Sequence, residues 1–88
     1  MRLLLFSRDT CGSCKKWMPI IQEISDELNL PLEISDDKEE MNERSIKGLP
    51  TTILMDDNDN EVYSILGNVS KDKCLESIKY YINGGKGD

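Results

Sequence analysis

Cys11 and Cys14 lie three positions apart, and thiol side chains at this spacing could take part in a chemical reaction. They follow an apolar run at residues 3–6 that is typical of a buried strand, and they precede a long helical pattern. Cys11 would therefore stand at or just before the first helical residue, where unpaired N–H groups and the helix dipole favour an anion, here a thiolate. Cys14 lies one helical turn further on the same side, so the two could close a disulfide.

Composition limits the functions that this pair can serve. The chain has 88 residues, 38% apolar and 32% charged, which predicts one globular domain over residues 1–83 and a flexible tail over 84–88. Its net charge of −6 disfavours non-specific binding to nucleic acid or to an anionic membrane surface, and the first apolar run is too short for a signal peptide or a membrane span. Three cysteines do not make a secreted disulfide framework, so we expect a cytoplasmic protein whose Cys-X-X-Cys pair is redox-active or binds metal.

The elements that must position the pair can be read from hydrophobic periodicity. Residues 2–7 predict a strand that is apolar on both faces, and residues 13–28 predict an amphipathic helix kinked at Pro19. The buried stripe of that helix comprises Trp17, Ile20 or Ile21, Ile24 and Leu28. Asn29 is a plausible stop, and residues 30–34 predict a second strand parallel to the first.

The second half of the chain predicts a short helix, a hairpin and a last helix. Residues 36–47 are charged and only Met41 and Ile46 among them are apolar, so we expect a solvated face with one apolar anchor. Strands at 52–55 and 61–66 flank a polar turn at 57–60, where the calcium-loop pattern fails because Glu61 takes the place of its glycine. Ser70 would cap a helix over 71–83, whose buried stripe is Cys74, Leu75, Ile78, Tyr81 and Ile82. The order is β-α-β-α-β-β-α.

Four separated motifs in this order resemble those of the thioredoxin family. They are the Cys-Gly-Ser-Cys sequence with Pro19 five residues after Cys14, the Gly-Leu-Pro-Thr sequence at 48–51, the hairpin, and the sequence Leu-Gly-Asn-Val-Ser-Lys at 66–71. The resemblance covers nearly the whole chain. It implies an α/β protein with a minimal, glutaredoxin-sized thioredoxin fold, in which helices flank a four-stranded mixed sheet.

The same resemblance implies a thiol–disulfide oxidoreductase, most readily a protein-disulfide reductase. Cys11 would be the nucleophile and Cys14 the resolving cysteine. Pro50 would be cis and would expose the backbone of Leu49 to a substrate strand. The groove that holds the substrate would be formed by Thr10, Gly12, Ser13, Leu49, Pro50, Thr51, Gly67 and Asn68. Partners would be disulfide-containing proteins and a flavin-dependent thioredoxin reductase, with the chain acting as a monomer that needs no cofactor.

The chain departs from the family pattern at several positions near the cysteines. Thr10 replaces the usual tryptophan, Ser13 replaces the usual proline, and Leu5 occupies the place of a buried aspartate. The chain has no histidine, so water or a carboxylate such as Asp9 would have to accept the proton of Cys14.

Three other interpretations of the sequence compete with a thioredoxin-like reductase. A glutaredoxin-like protein would be reduced by glutathione, but the sequence at 67–69 offers neither a second glycine nor an aspartate to bind it. A binding module of a larger complex would leave the cysteines unused. A metal site would need four ligands, and only Cys74 remains to join the pair, so we expect no metal. Cys74 itself is expected to be a small core residue.

Overall fold

The computed structural model describes residues 1–84, and its elements follow the predicted order. The seven elements are β1 (Arg2–Phe6), α1 (Gly12–Leu28), β2 (Leu32–Ser35), α2 (Lys38–Glu43), β3 (Thr51–Met55), β4 (Glu61–Leu66) and α3 (Lys71–Ile82). Of the predicted tail, 84–88, residues 85–88 lie outside the described residues. Among the described residues, no helix combines the length and apolarity needed to cross a membrane.

The four strands form one mixed sheet in the order β2-β1-β3-β4. β1 pairs in parallel with β2 and antiparallel with β3, and β3 pairs antiparallel with β4. Because β1 has a neighbour on each side and is covered on both faces, Leu3, Leu4 and Leu5 are all buried. The predicted four-stranded mixed sheet is confirmed.

Helix α1 carries the cysteine pair and packs on one face of the sheet. It begins after Cys11, runs through Pro19 without interruption, and ends at Asn29 in the left-handed conformation with φ 57°. Trp17 is fully buried, and its Nε1–H donates a hydrogen bond of 2.8 Å to Thr52 Oγ1. This bond ties the second turn of α1 to β3.

Two apolar clusters lie on opposite faces of the sheet. The larger, beneath α1 and α3, contains Leu3, Leu5, Trp17, Ile21, Ile24, Leu54, Ile65, Cys74 and Ile78. The smaller, beneath α2, contains Leu4, Phe6, Met41, Ile53 and Met55. Met41 is therefore the anchor expected of the charged segment, and Asp37 caps the short helix that carries it.

Several predicted boundaries and one predicted core residue are wrong. β1 ends at Phe6, α1 begins one residue earlier than predicted, and α3 ends at Ile82, whose side chain is 37% exposed and leaves the buried stripe. β2 begins at Leu32 because the N–H of Leu30 donates to the Ser25 carbonyl at the end of α1. Leu30 thus completes the helix terminus before the chain enters the sheet.

The polar segment between β3 and β4 is a hairpin turn, as predicted. The Asp56 carboxylate accepts hydrogen bonds from the N–H groups of Asn58 and Asn60, at 2.8 and 2.9 Å. Asp59 adopts a positive φ of 63°, a conformation that aspartate tolerates better than most residues. The Asp56 side chain therefore serves the turn itself, whereas Asp57 pairs with the N-terminal ammonium group and Asp59 with Arg2.

Candidate active site

Cys11 is the N-cap of α1, at the junction that the sequence predicts. Its backbone is extended, and its Sγ accepts a hydrogen bond of 3.2 Å from the N–H of Cys14. The same sulfur lies 3.9 Å from the Leu49 carbonyl oxygen and is half-buried. The sulfur is therefore held by the first turn of the helix and still reaches the surface.

The environment of Cys11 favours the thiolate. Its pKa is lowered chiefly because the Cys14 side chain donates a hydrogen bond to its sulfur. Backbone N–H groups of Cys14 and Ser13 lower the pKa further, and partial burial opposes them. Since the thiolate is the nucleophilic form of cysteine, the environment of Cys11 favours the nucleophilic form of this residue.

Cys14 lies in a different environment three residues further along α1. It is fully buried, and its pKa is raised first by burial and then by the hydrogen bond that it gives to Cys11. Hydrogen bonds from the Arg8 backbone and the Ser7 side chain act in the opposite direction. Asp9, considered from the sequence as a proton acceptor, is exposed and is not among the groups that act on Cys14.

Sequence reasoning missed Ser7 because it was assigned to the end of the first strand. The residue follows β1 and is 5% exposed. A signal was present: Ser7 is a small polar residue directly after a fully apolar strand, four positions before Cys11. Such a residue has to find a hydrogen-bonding partner where it is buried.

The segment that contains Pro50 lies beside Cys11. The Leu49–Pro50 peptide bond is cis, and Pro50 is buried. Thr51 Oγ1 donates a hydrogen bond of 2.7 Å to the Gly48 carbonyl, and the Gly67 N–H donates one of 2.8 Å to the Pro50 carbonyl. These two bonds fix the segment next to the sulfur and join it to the end of β4.

The structure brings the other predicted groove residues to the same end of the sheet. Thr10, Gly12 and Ser13 are exposed around Cys11. Asn68 Nδ2 donates a hydrogen bond of 3.3 Å to the Ser13 carbonyl, and Gly67 has a φ of 82°. A Cβ at Gly12 would meet nothing within 4 Å, so the surface above this residue is open to another molecule.

The third cysteine lies in the apolar core. Cys74 is buried in the cluster beneath α1 and α3, and burial raises its pKa to about 11. Within residues 1–84, no group of three or more His, Cys, Asp or Glu side chains is arranged to hold a metal ion. All three cysteines are free thiols in the structure, which therefore shows a dithiol in the first turn of a helix.

Solved structures resemble this chain over most of its length. Thioredoxin 1 from Thermosipho africanus superposes with a TM-score of 0.83 at 23% identity, over 94% of this chain and 96% of that one. A Plasmodium falciparum thioredoxin gives 0.75 at 23% identity, over 91% and 84%. A thioredoxin from Nicotiana alata gives 0.74 at 25% identity, over 88% and 69%. These likenesses establish the fold.

Sequence comparison supplies the family. No curated protein matches the chain significantly. The sequence profile of the Thioredoxin family, whose members are thiol–disulfide oxidoreductases, matches residues 1–80 and so includes both cysteines and Pro50. This chain belongs to the thioredoxin family.

Proposed function

We propose that this chain is a protein-disulfide reductase that cycles between a Cys11–Cys14 dithiol and a disulfide. The observation that carries the proposal is the asymmetry of the pair. Cys11 is partly exposed and has a lowered pKa, whereas Cys14 is fully buried behind it and has a raised pKa. A substrate can reach only the sulfur that is already favoured as a thiolate.

The reaction takes place in two exchanges that conserve electrons. The Cys11 thiolate attacks one sulfur of a substrate disulfide, forms a mixed disulfide and releases the other substrate sulfur as a thiolate. Cys14 then loses its proton and attacks Cys11 Sγ, so that the Cys11–Cys14 bond forms as the bond to the substrate breaks. The substrate gains two electrons and the pair loses two.

Substrate binding would use the surface around Cys11. An extended segment of the substrate would pair with the backbone of Leu49, whose carbonyl already lies 3.9 Å from the sulfur. Pro50 and Thr51 would continue this edge, since their own hydrogen bonds hold the segment in place. Thr10, Gly12, Ser13, Gly67 and Asn68 would complete the groove around Cys11.

The direction of the reaction requires an electron donor that returns the disulfide to the dithiol. A flavin-dependent thioredoxin reductase would return the disulfide to the dithiol, in a cytoplasmic setting and with this chain as a monomer. Glutathione is the alternative donor. The two are distinguished by incubating the oxidised protein with each system and following the loss of the Cys11–Cys14 disulfide by thiol trapping and mass spectrometry.

The first test of the proposal combines trapping of a mixed disulfide at Cys11 with a redox titration of the Cys11–Cys14 pair. A Cys14→Ser variant mixed with a disulfide-bonded protein should accumulate a mixed disulfide at Cys11, whereas a Cys11→Ser variant, the matched control, should accumulate none. Equilibration of the natural chain with glutathione buffers should give a potential of about −230 to −270 mV or lower, in the range of reductases. A Cys11–Cys14 potential of about −120 to −180 mV would mean that electrons flow in the direction opposite to the one proposed. Failure to form the intramolecular disulfide would refute the redox function.

A further inference from the structure

The charge of the chain is distributed unevenly around the active site. The segments near Cys11, residues 8–16, 44–51 and 66–70, contain five cationic side chains and one carboxylate, that of Asp9. The chain as a whole has a net charge of −6, so its remaining segments are strongly acidic. The net charge of the protein repels an acidic substrate, whereas the charge next to Cys11 attracts one.

Hydrogen bonds of the first turn of α1 place two of these cations beside Cys11. The Cys11 N–H donates a hydrogen bond of 3.1 Å to the Arg8 carbonyl, and the Lys15 N–H donates one of 3.2 Å to the Cys11 carbonyl. Arg8 and Lys15 are therefore each one hydrogen-bonded turn away from the reactive cysteine. Both side chains are exposed, as is that of Lys16.

The cations near Cys11 are not neutralised by the protein itself. The ion pairs among residues 1–84 involve the N-terminal ammonium group, Arg2, Arg44 and Lys71. None of these pairs involves the exposed side chains that we call the cationic rim, which are those of Arg8, Lys15, Lys16 and Lys47. The rim therefore presents positive charge that a substrate carboxylate can meet.

A groove leads away from the rim along the uncovered face of β4. Because α2 has six residues, β1 and β3 supply the strand residues of the cluster beneath it, and β4 at the sheet edge stays open. The groove has a volume of about 220 Å³, below the range of about 300–1,000 Å³ typical of small-molecule pockets. Lys47 lines it with Leu66, which is 60% exposed, and a Cβ on Gly48 would lie 3.3 Å from Leu66 Cδ1. The groove thus begins beside the Leu49 segment and suits the side chains of an extended peptide.

The acidic residues of neighbouring segments lie away from this path. Asp36 and Asp37 follow β2, which is at the opposite edge of the sheet from β4. Glu61 lines the groove, but it pairs with Met55 at the end of β3 that is farther from Pro50. The part of the groove next to the active site is therefore cationic.

We propose that the cationic rim selects protein disulfides that lie in acidic segments, with the substrate segment extending from Leu49 into the groove along β4. This inference rests on the proposed reductase function and names its substrate class. Exposed charges at the edge of an interface act mainly on the rate of association. The selection should therefore be visible in the first exchange, the attack of Cys11 on the substrate.

Three peptides that differ only in charge test this selection. Each has one cysteine joined by a disulfide to thionitrobenzoate, and the two positions on either side of the cysteine hold glutamate, glutamine or lysine. Attack of Cys11 on the peptide sulfur forms the mixed disulfide and releases the coloured thionitrobenzoate thiolate. Stopped-flow absorbance gives the rate constant, which is divided by that of mercaptoethanol with the same peptide to remove differences in intrinsic reactivity.

The glutamate peptide should react about tenfold faster than the lysine peptide at low salt, because one exposed ion pair contributes about two- to fivefold and several can form. This ratio should approach one in about 1 M salt, where the screening length is about 3 Å. Lys47→Glu and Lys15→Glu should each lower the ratio about fivefold or more, and Lys47→Gln should lower it less. Lys79→Glu is the matched control, since it makes the same change in net charge at an exposed position in the last turn of α3 and should leave the ratio nearly unchanged.

The outcomes separate the rim from the reductase. If the natural chain forms mixed disulfides but shows no preference for the glutamate peptide at low salt, the role of the rim is overturned and the reductase stands. If Lys79→Glu lowers the ratio as much as Lys47→Glu, the effect belongs to net charge and the rim is again overturned. If the Cys14→Ser variant forms no mixed disulfide with any of the peptides, as judged by mass spectrometry, the reductase function itself is refuted.

Discussion

The hydrogen bond from Trp17 Nε1 to Thr52 Oγ1 should be a measurable part of the stability of this fold. The two side chains are 0% and 2% exposed and meet at 2.8 Å between α1 and β3. Thr52→Val removes the acceptor and keeps the shape of the side chain, so it leaves no cavity. The indole N–H would then remain buried without that partner.

The expected loss follows from two opposing contributions. A buried donor without a partner costs about 1–3 kcal/mol, and the additional buried methyl group returns about 0.8 kcal/mol. We therefore expect Thr52→Val to lower the free energy of unfolding by about 1 kcal/mol. For a domain of this length, that corresponds to a fall in Tm of about 4–8 °C. Urea unfolding of the reduced protein, followed by the fluorescence of its single tryptophan, measures the change.

Two further variants separate the hydrogen bond from packing. Thr52→Ser keeps the acceptor and loses only a methyl group. In a Trp17→Phe background, where the donor is absent, Thr52→Val should cost nothing or stabilise, as followed by circular dichroism. The reasoning is refuted if Thr52→Val costs the same in both backgrounds, because the double-mutant cycle would then assign no energy to the bond.

Three other predictions follow from the cysteines and from the end of α1. Cys14→Ala should raise the pKa of Cys11, because it removes the side-chain donor that lowers this pKa most; the midpoint of the pH dependence of Cys11 alkylation by iodoacetamide measures it, and an unmoved midpoint would contradict it. Burial raises the pKa of Cys74 from 9.0 to about 11, so its contribution to stability is complete below pH 9 and is lost as the pH rises towards 11. The free energy of unfolding of Cys74→Ala should accordingly decline less steeply over this pH interval than that of the natural chain. Parallel curves of the free energy of unfolding against pH for the two proteins would exclude the effect. Asn29 has a φ of 57°, so Asn29→Gly should preserve or raise Tm and Asn29→Ala should lower it. A higher Tm for Asn29→Ala than for Asn29→Gly would contradict this prediction.

The order of the elements could be predicted because each has a strong local signal. Apolar runs such as residues 3–6 are bounded by polar or turn-forming residues, and α1 has a clear helical period between Cys11 and Asn29. Boundaries were less accurate because they depend on which partner a backbone group finds. Leu30 reads as part of a strand, but its N–H bonds to Ser25 in the preceding helix.

Some features of the site depend on residues close in sequence and could be predicted, whereas others depend on contacts between distant segments. The spacing of Cys11 and Cys14 fixes their relation to the helix N-terminus, so this part was readable from the sequence. The contacts of Ser7 with Cys14 and of Asn68 with Ser13 depend on how the turn after β1 and the loop after β4 fold against α1. Residue type and position single out Ser7 in the sequence, but periodicity and spacing do not identify the partner in either contact.

The interaction between the two sulfurs also orders the steps of the proposed cycle. In the dithiol, the hydrogen bond from Cys14 to Cys11 lowers the pKa of Cys11 and raises that of Cys14, and the charge on Cys11 raises the pKa of Cys14 further. Once Cys11 is joined to a substrate, its sulfur carries no charge, and both of these effects on Cys14 weaken. Two of the causes that raise the pKa of Cys14 in the dithiol are thus removed, so we expect this pKa to be lower in the mixed disulfide than in the dithiol. The first exchange would thereby remove effects that disfavour the Cys14 thiolate just before the second exchange needs it.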